Sequence, residues 1–202
     1  QPVALHQPRK QRQWQMEHPL QVVFCGRDPL RHGAATAVQW FLAMRARQIP
    51  AVLQLWSKTK LHAARAIGKS VAELADLGVF LHDWDGGFHA QLGRADLLIH
   101  PTLYDSFSLV CLEAAAAGVP VVTTPQAGVA ELLPPELCAA VAPSLTEVAA
   151  ARAVEMLVSA ALISPEQWRS SVLQVRASFD LQRHVELLIQ TLESVVVPQS
   201  TS

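Results

Sequence analysis

Asp105 and Glu113 stand with seven residues between them in the segment His100-Pro101-Thr102-Leu103-Tyr104-Asp105-Ser106-Phe107-Ser108-Leu109-Val110-Cys111-Leu112-Glu113, which runs on through alanines to Gly118, Pro120 and Thr124. The apolar runs before and after it, residues 95–100 and 119–123, read as buried parallel strands. The first acid therefore lies in a loop, and the second lies in the helix which that loop opens. A helix start offers free N–H groups and the positive end of the dipole. Here those groups fall from about Ser108 through Leu109 to Val110, just after Phe107, and suit a phosphate or sugar oxygen. Glu113, set among Leu109, Val110, Leu112 and alanines, must face water or hold a partner. Two vicinal ribose hydroxyls suit it, since a carboxylate accepts two hydrogen bonds at once. Asp105 would reach sugar hydroxyls on the other side of the phosphates. The plainer alternative is that Asp105 caps the helix and Glu113 sits on an exposed face. The flanking His100-Pro101 and Gly118-Val119-Pro120 favour a grip for a polar anionic ligand such as a nucleotide sugar.

A second group follows the first apolar run: Gly26-Arg27-Asp28-Pro29-Leu30-Arg31-His32-Gly33. This is a turn bounded by glycines that carries two guanidinium groups and an imidazole, all able to meet phosphate oxygens. It is neither a Gly-x-Gly-x-x-Gly nor a Walker loop, and an exposed polar turn is its plain alternative. His82, Asp83 and Asp85 carry metal-ligand chemistry, but their spacing is loose and no metal is expected. Trp56 is read as a core residue, with ring stacking as the alternative.

The elements that must position these residues alternate along the chain. Strands are expected at residues 20–25, 51–56, 79–82, 96–100 and 119–123, with 137–141 as a candidate sixth. Helical spacing covers 34–47, 61–77 up to Gly78, 87–94, 108–117 and 128–133. Each strand is a nearly continuous apolar run, which points to a doubly wound, Rossmann-like parallel sheet covered on both faces. Ligands in such folds bind at the C-terminal ends of the strands, where the loops after Cys25, His82, His100 and Thr124 converge. Residues 145–197 read as purely helical. Ser164-Pro165-Glu166-Gln167 opens one of these helices as a capping box. A last helix, 181–196, puts Val185, Leu187, Leu188, Leu192 and Val195 on a packing face. The domain division is thus a linker or tail at 1–19, a Rossmann-like nucleotide-sugar-binding domain at 20–144, and C-terminal helices at 145–202.

Half of the 202 residues are hydrophobic and 16% are charged, as in a compact globular chain. The formal net charge of −1 offers no field for nucleic acid. The small basic cluster Arg9, Lys10 and Arg12 reads as a solvated tail. Cys25, Cys111 and Cys138 each sit in an apolar run without metal-ligand spacing, as reduced core residues do. No run reaches the ~20 apolar residues of a membrane span, and no signal peptide is read. The chain begins at Gln1, which suggests a processed product or a fragment of something longer.

Pro101-Thr102, Asp105, Leu112-Glu113-Ala114, Gly118 and Pro120-Val121-Val122 together resemble the Glu-x7-Glu region of retaining glycosyltransferases of the GT-B fold, family GT4. The resemblance spans roughly residues 20 to 196 and is strongest to the lipopolysaccharide-core glucosyltransferase-like branch. Ala127-Gly128-Val129-Ala130-Glu131 stands where the family has Gly-Gly-x-x-Glu. Asp105 replaces the commoner first Glu, one methylene shorter. The resemblance implies that Asp105 lies near the donor sugar and that Glu113 binds the ribose. It also implies that Arg27 and the residue at position 32 bind the diphosphate. There the family has Lys and this chain has His32, with Arg31 beside it.

By the same resemblance the chain is the C-terminal, donor-binding half of a retaining hexosyltransferase, inactive without an N-terminal GT-B domain that binds the acceptor; the helices at 145–202 pack on the Rossmann-like domain and toward that N-terminal domain. The substrate is a nucleotide-diphosphate sugar, with no cofactor and no metal. The acceptor is a glycan or lipid-linked saccharide in cell-envelope polysaccharide or lipopolysaccharide synthesis. The implied location is the cytoplasm, either free or peripheral to the inner face of the membrane. Two other readings stand beside it: a nucleotide- or partner-binding domain of the same ancestry that does not turn over, and a flavodoxin-like module.

Overall fold

The computed structural model describes residues 18–84 and 87–196. The N-terminal basic cluster and Asp85 lie outside them. The elements run β1 (Leu20–Cys25), α1 (Ala34–Ala46), β2 (Ala51–Ser57), α2 (Lys60–Ile67), α3 (Val71–Asp76), β3 (Val79–Asp83), α4 (Phe88–Leu92), β4 (Leu97–His100), α5 (Leu109–Ala116), β5 (Val121–Thr123), β6 (Cys138–Ala140), α6 (Thr146–Leu162), α7 (Pro165–Ser178) and α8 (Leu181–Val196). A 3-10 turn, Gly128–Glu131, stands between β5 and β6. The six strands form one sheet in the order β3-β2-β1-β4-β5-β6, and every pairing is parallel. This is the doubly wound, Rossmann-like arrangement expected from the sequence. The strand order reverses between β1 and β4, which opens a crevice at their C-terminal ends.

Alternation along β1 divides the core. Val22 and Phe24 join Leu53, Leu55 and Leu97 under Trp40, Phe41 and Met44 of α1 and Ala153 and Leu157 of α6. Val23 and Cys25 face the other way, with Leu98 and Val121, under Ala114 and Ala115 of α5 and Val172 and Val175 of α7. Trp40, Phe41 and Met44 are fully buried; each contributes about 1.5–3 kcal/mol by leaving water. All three cysteines are buried and free. Burial pushes the thiols of Cys25, Cys111 and Cys138 up to about 12, so they are inert core residues.

Three local expectations need correction. The helix read over 61–77 is two helices. Gly68 adopts a left-handed conformation (φ 77°) that ends α2, and Ser70 and Glu73 form a reciprocal capping box that starts α3. The segment 128–133 is a single 3-10 turn. The apolar face of α8 does not pack on the sheet: Val185, Leu187, Leu188, Ile189 and Leu192 are all exposed. Among the described residues no single helix is long and apolar enough to cross a membrane.

Candidate functional site

The loop after β1 is held by its own acid. Asp28 Oδ1 accepts from the backbone N–H of Leu30 (3.1 Å) and Arg31 (3.2 Å). The Arg31 N–H contributes most to holding that carboxyl below its usual range. The Arg31 carbonyl then accepts from Leu103 N–H (2.8 Å) and from the Thr102 hydroxyl (3.3 Å), which ties this loop to the one after β4. A Cβ on Gly26 would stand 2.6 Å from His32 Cβ, so the turn closes only with glycine there. His32 is consequently buried, while Arg27 and Arg31 are exposed. Arg31 Nη2 donates to His32 Nε2 at 3.1 Å. Burial holds His32 below its ordinary value, and the charges of His100 and Arg31 push in the same direction. When the crevice is empty, His32 is therefore a neutral imidazole near neutral pH.

The loop after β4 is built on Asp105. Its Oδ1 accepts from Ser108 N–H (2.8 Å) and Phe107 N–H (3.3 Å). Ser108, buried in a left-handed conformation (φ 69°), starts α5 and donates its hydroxyl to Cys111 Sγ at 3.2 Å. The Ser108 N–H is thus occupied, and the N–H groups of Leu109 and Val110 remain open among the described residues. Leu109 is exposed, Val110 is half-buried, and Phe107 packs edge-on against Phe179.

Asp105 Oδ2 faces His100 Nε2 at 3.7 Å, longer than a closed hydrogen bond. His100, aided by the Ser108 and Phe107 N–H groups, keeps the Asp105 carboxyl well below the usual carboxylate range despite partial burial. The backbone of Asp105 is clamped as well. Its N–H donates to the Gln126 carbonyl (3.1 Å), and its carbonyl accepts from Gly128 N–H (3.1 Å).

Glu113 is half-buried on the α4 side of α5, where His89 Nδ1 lies 3.8 Å from Oε2. Burial raises its carboxyl above the usual value, and His89 offsets part of that. Its charge also acts on Cys25, which locates the carboxylate beside the end of β1. At the ends of β2 and β3, Trp56 is buried and its ring stacks on His82 at 4.3 Å, with Phe88 edge-on. Trp84 is partly open to solvent and stacks on Phe88. His82 Nε2 donates to Gln54 Oε1 (2.7 Å), and Asp83 Oδ1 accepts from Lys60 N–H (2.6 Å). Among the described residues no three His, Cys, Asp or Glu side chains stand together as a metal would require.

The crevice between β1 and β4 therefore gathers Arg31, His32, Asp105 and the open N–H groups of Leu109 and Val110, with Glu113 at its flank. His100 belongs to the same group, although in the sequence it counted only as a flank of the loop and not as a site residue. Its signal is a histidine closing a buried strand, five residues before the acid. A guanidinium group, open N–H groups and separated carboxylates together can bind a diphosphate bonded to polyhydroxyl groups.

Residues 19–160 match the sequence model of the family described as Glycosyl transferases group 1. No curated protein sequence matches the chain. Among solved structures, a glycosyltransferase from Rickettsia africae ESF-5 superposes with a TM-score of 0.71 at 13% identity, over 91% of this chain and 49% of that one. WaaG, a glycosyltransferase involved in lipopolysaccharide biosynthesis, gives 0.65 at 20% identity, over 82% and 44%. An α,α-trehalose-phosphate synthase (UDP-forming) from Burkholderia vietnamiensis gives 0.68 at 17% identity, over 90% and 46%. At these identities the likeness is one of fold. The chain spans less than half the length of each of these proteins.

Proposed function

The chain belongs to the group 1 glycosyl transferases, and from that membership we propose that it is the donor-binding half of a retaining enzyme. In this reading the β1–β4 crevice holds the diphosphate of a nucleotide sugar between the Leu109 and Val110 N–H groups and the guanidinium groups of Arg27 and Arg31. Glu113 holds the ribose hydroxyls, and Asp105 orients the donor sugar. The observation that carries the reading is the convergence of open helix N–H groups, Arg31 and a fixed carboxylate at the point where the strand order reverses.

Catalysis is then mainly electrostatic. The bond from the anomeric carbon to the diphosphate breaks as negative charge grows on the leaving oxygen, and the cations and N–H groups stabilise that charge. An acceptor hydroxyl enters on the same face, which gives retention. A partner N-terminal domain brings the acceptor, a glycan or lipid-linked saccharide. WaaG, which shares the fold, is involved in lipopolysaccharide biosynthesis. Cell-envelope polysaccharide synthesis at the cytoplasmic face of the membrane is the setting we propose.

Calorimetric titration with UDP, GDP and ADP, with and without magnesium, tests the reading. Saturable binding of one of them without magnesium supports the donor site; no binding of any of the three defeats it. One observation favours a second reading, a domain that binds a nucleotide without turnover: His32 is neutral where the resembled family has a permanent cation. Sugar transfer by the complete two-domain protein separates the two.

A further inference from the structure

His32 and His100 lie side by side under the crevice, with ring centroids 5.5 Å apart. His32 is 8% exposed and His100 is 1% exposed. Among the described residues, His32 Nδ1 and both ring nitrogens of His100 make no hydrogen bond. Buried polar atoms are nearly always paired, so three open ones on adjacent rings call for a ligand or a charge. The groups that face the pair come from three elements. Arg31 and Asp28 lie on the loop after β1, His100 itself closes β4, and Asp105 lies on the loop into α5. Arg31 and Asp105 stand at opposite ends of this row; burial, His100 and Arg31 outweigh the opposite pull of Asp105 on His32, so the empty crevice disfavours a proton there.

A diphosphate changes that balance. An anion within ~4–6 Å favours the charged form of an imidazole. We propose that binding of the donor diphosphate draws one proton from solution onto His32, which thereby adds a cation to the phosphate grip. This rests on the donor-site reading above.

The proton adds to a ring nitrogen lone pair, and no other bond is made or broken. On the His100 side, Asp105 Oδ2 lies 3.7 Å from Nε2. On the His32 side, protonation turns Nε2 from acceptor to donor. Arg31 Nη2, which donates to that nitrogen at 3.1 Å, then faces another N–H, and the contact opens. The freed guanidinium swings to the phosphates. One proton thus supplies a charge and releases a second one, and its loss at higher pH loosens the hold on the departing diphosphate.

The test is calorimetry of UDP, GDP and ADP binding to the whole chain, in buffers of low and high ionisation enthalpy, from about pH 5.5 to about pH 8.5. The expected result for the nucleotide that binds is uptake of about one proton near neutral pH, beyond that of the nucleotide itself, with affinity falling up to about tenfold per pH unit on the alkaline side. In His32→Lys, whose cation is permanent, the extra uptake should vanish while alkaline binding persists. His32→Gln should also lack the uptake and should bind at all pH values as weakly as the wild type does at the alkaline end. Equal proton uptake in wild type and His32→Lys, with nucleotide bound in both, overturns the inference and leaves the donor site intact. Absence of binding by all three nucleotides overturns the donor site and this inference together.

Discussion

Gly33 is turned against Pro101 so closely that a Cβ on Gly33, at its left-handed φ of 76°, would occupy the space of the Pro101 carbonyl oxygen. The loops after β1 and β4 therefore meet backbone to backbone across the strand-order reversal. Gly33→Ala combines an unfavourable φ with a collision against main chain that cannot move alone. It should cost about 3 kcal/mol or more, read as a lower urea midpoint with an unchanged slope. An unchanged midpoint would mean that the two loops are not fixed to one another.

Glu113→Gln separates binding from stability. Nucleotide affinity should fall by about 1.5–3 kcal/mol, the value of hydrogen bonds to a charged group. Stability should not fall. Burial raises the Glu113 carboxyl, so at neutral pH its charge opposes folding, and this penalty disappears as pH falls through the raised value. Thermal melts at neutral pH should find the variant equal to the wild type or slightly above it.

Asp105→Asn carries the opposite sign. The native carboxyl is depressed by His100 and by two backbone N–H groups. Its contribution is therefore complete above the ordinary Asp value of ~3.9 and is lost as pH falls below it. Loss of the charged cap should cost about 1 kcal/mol at neutral pH, allowing for solvent screening at a site still partly open to water. The gap between the urea midpoints of wild type and variant should narrow as the pH is taken down toward about 3. A constant gap would show that the charge of Asp105 has no part in it.

Deletion of residues 181–202 tests the detachment of α8. Its apolar residues, from Val185 to Leu192, are exposed, so the shortened chain should keep its denaturation midpoint within about 0.5 kcal/mol of the parent. It should also self-associate less in sedimentation experiments. A large loss of stability would place α8 in the folding unit.

The layered fold was legible because burial on both faces leaves continuous apolar runs, as in residues 20–25, 51–56 and 96–100. The split of α2 from α3 was less visible, because apolar spacing bridges the break while Gly68 and the Ser70–Glu73 box decide it locally. The placement of Asp105 in a loop and of Glu113 in the helix it opens was legible through their spacing. The use of the Ser108 N–H by Asp105 was not, since a left-handed serine depends on the tertiary path of the loop. His100 was legible as a flank of the loop but not as a partner, because a residue at a strand end gains that meaning only from its neighbours across the sheet, here His32. The exposed face of α8 shows the limit of periodicity, which identifies an apolar stripe but not its counterpart.

Asp105 and Ala127 form an isolated parallel bridge beyond the ends of β4 and β5, and Val129 N–H reaches back to the Phe107 carbonyl at 2.8 Å. In mechanical terms the loop that carries the acid is a fixed jaw, braced by main chain on the side away from the crevice. Adjustment to ligands of different size then falls to the exposed arginine side chains of the facing loop and to whatever surface closes from above. A stationary acid and a moving opposite wall divide the work of recognition: the first sets where the ligand sits, and the second sets how tightly it is enclosed.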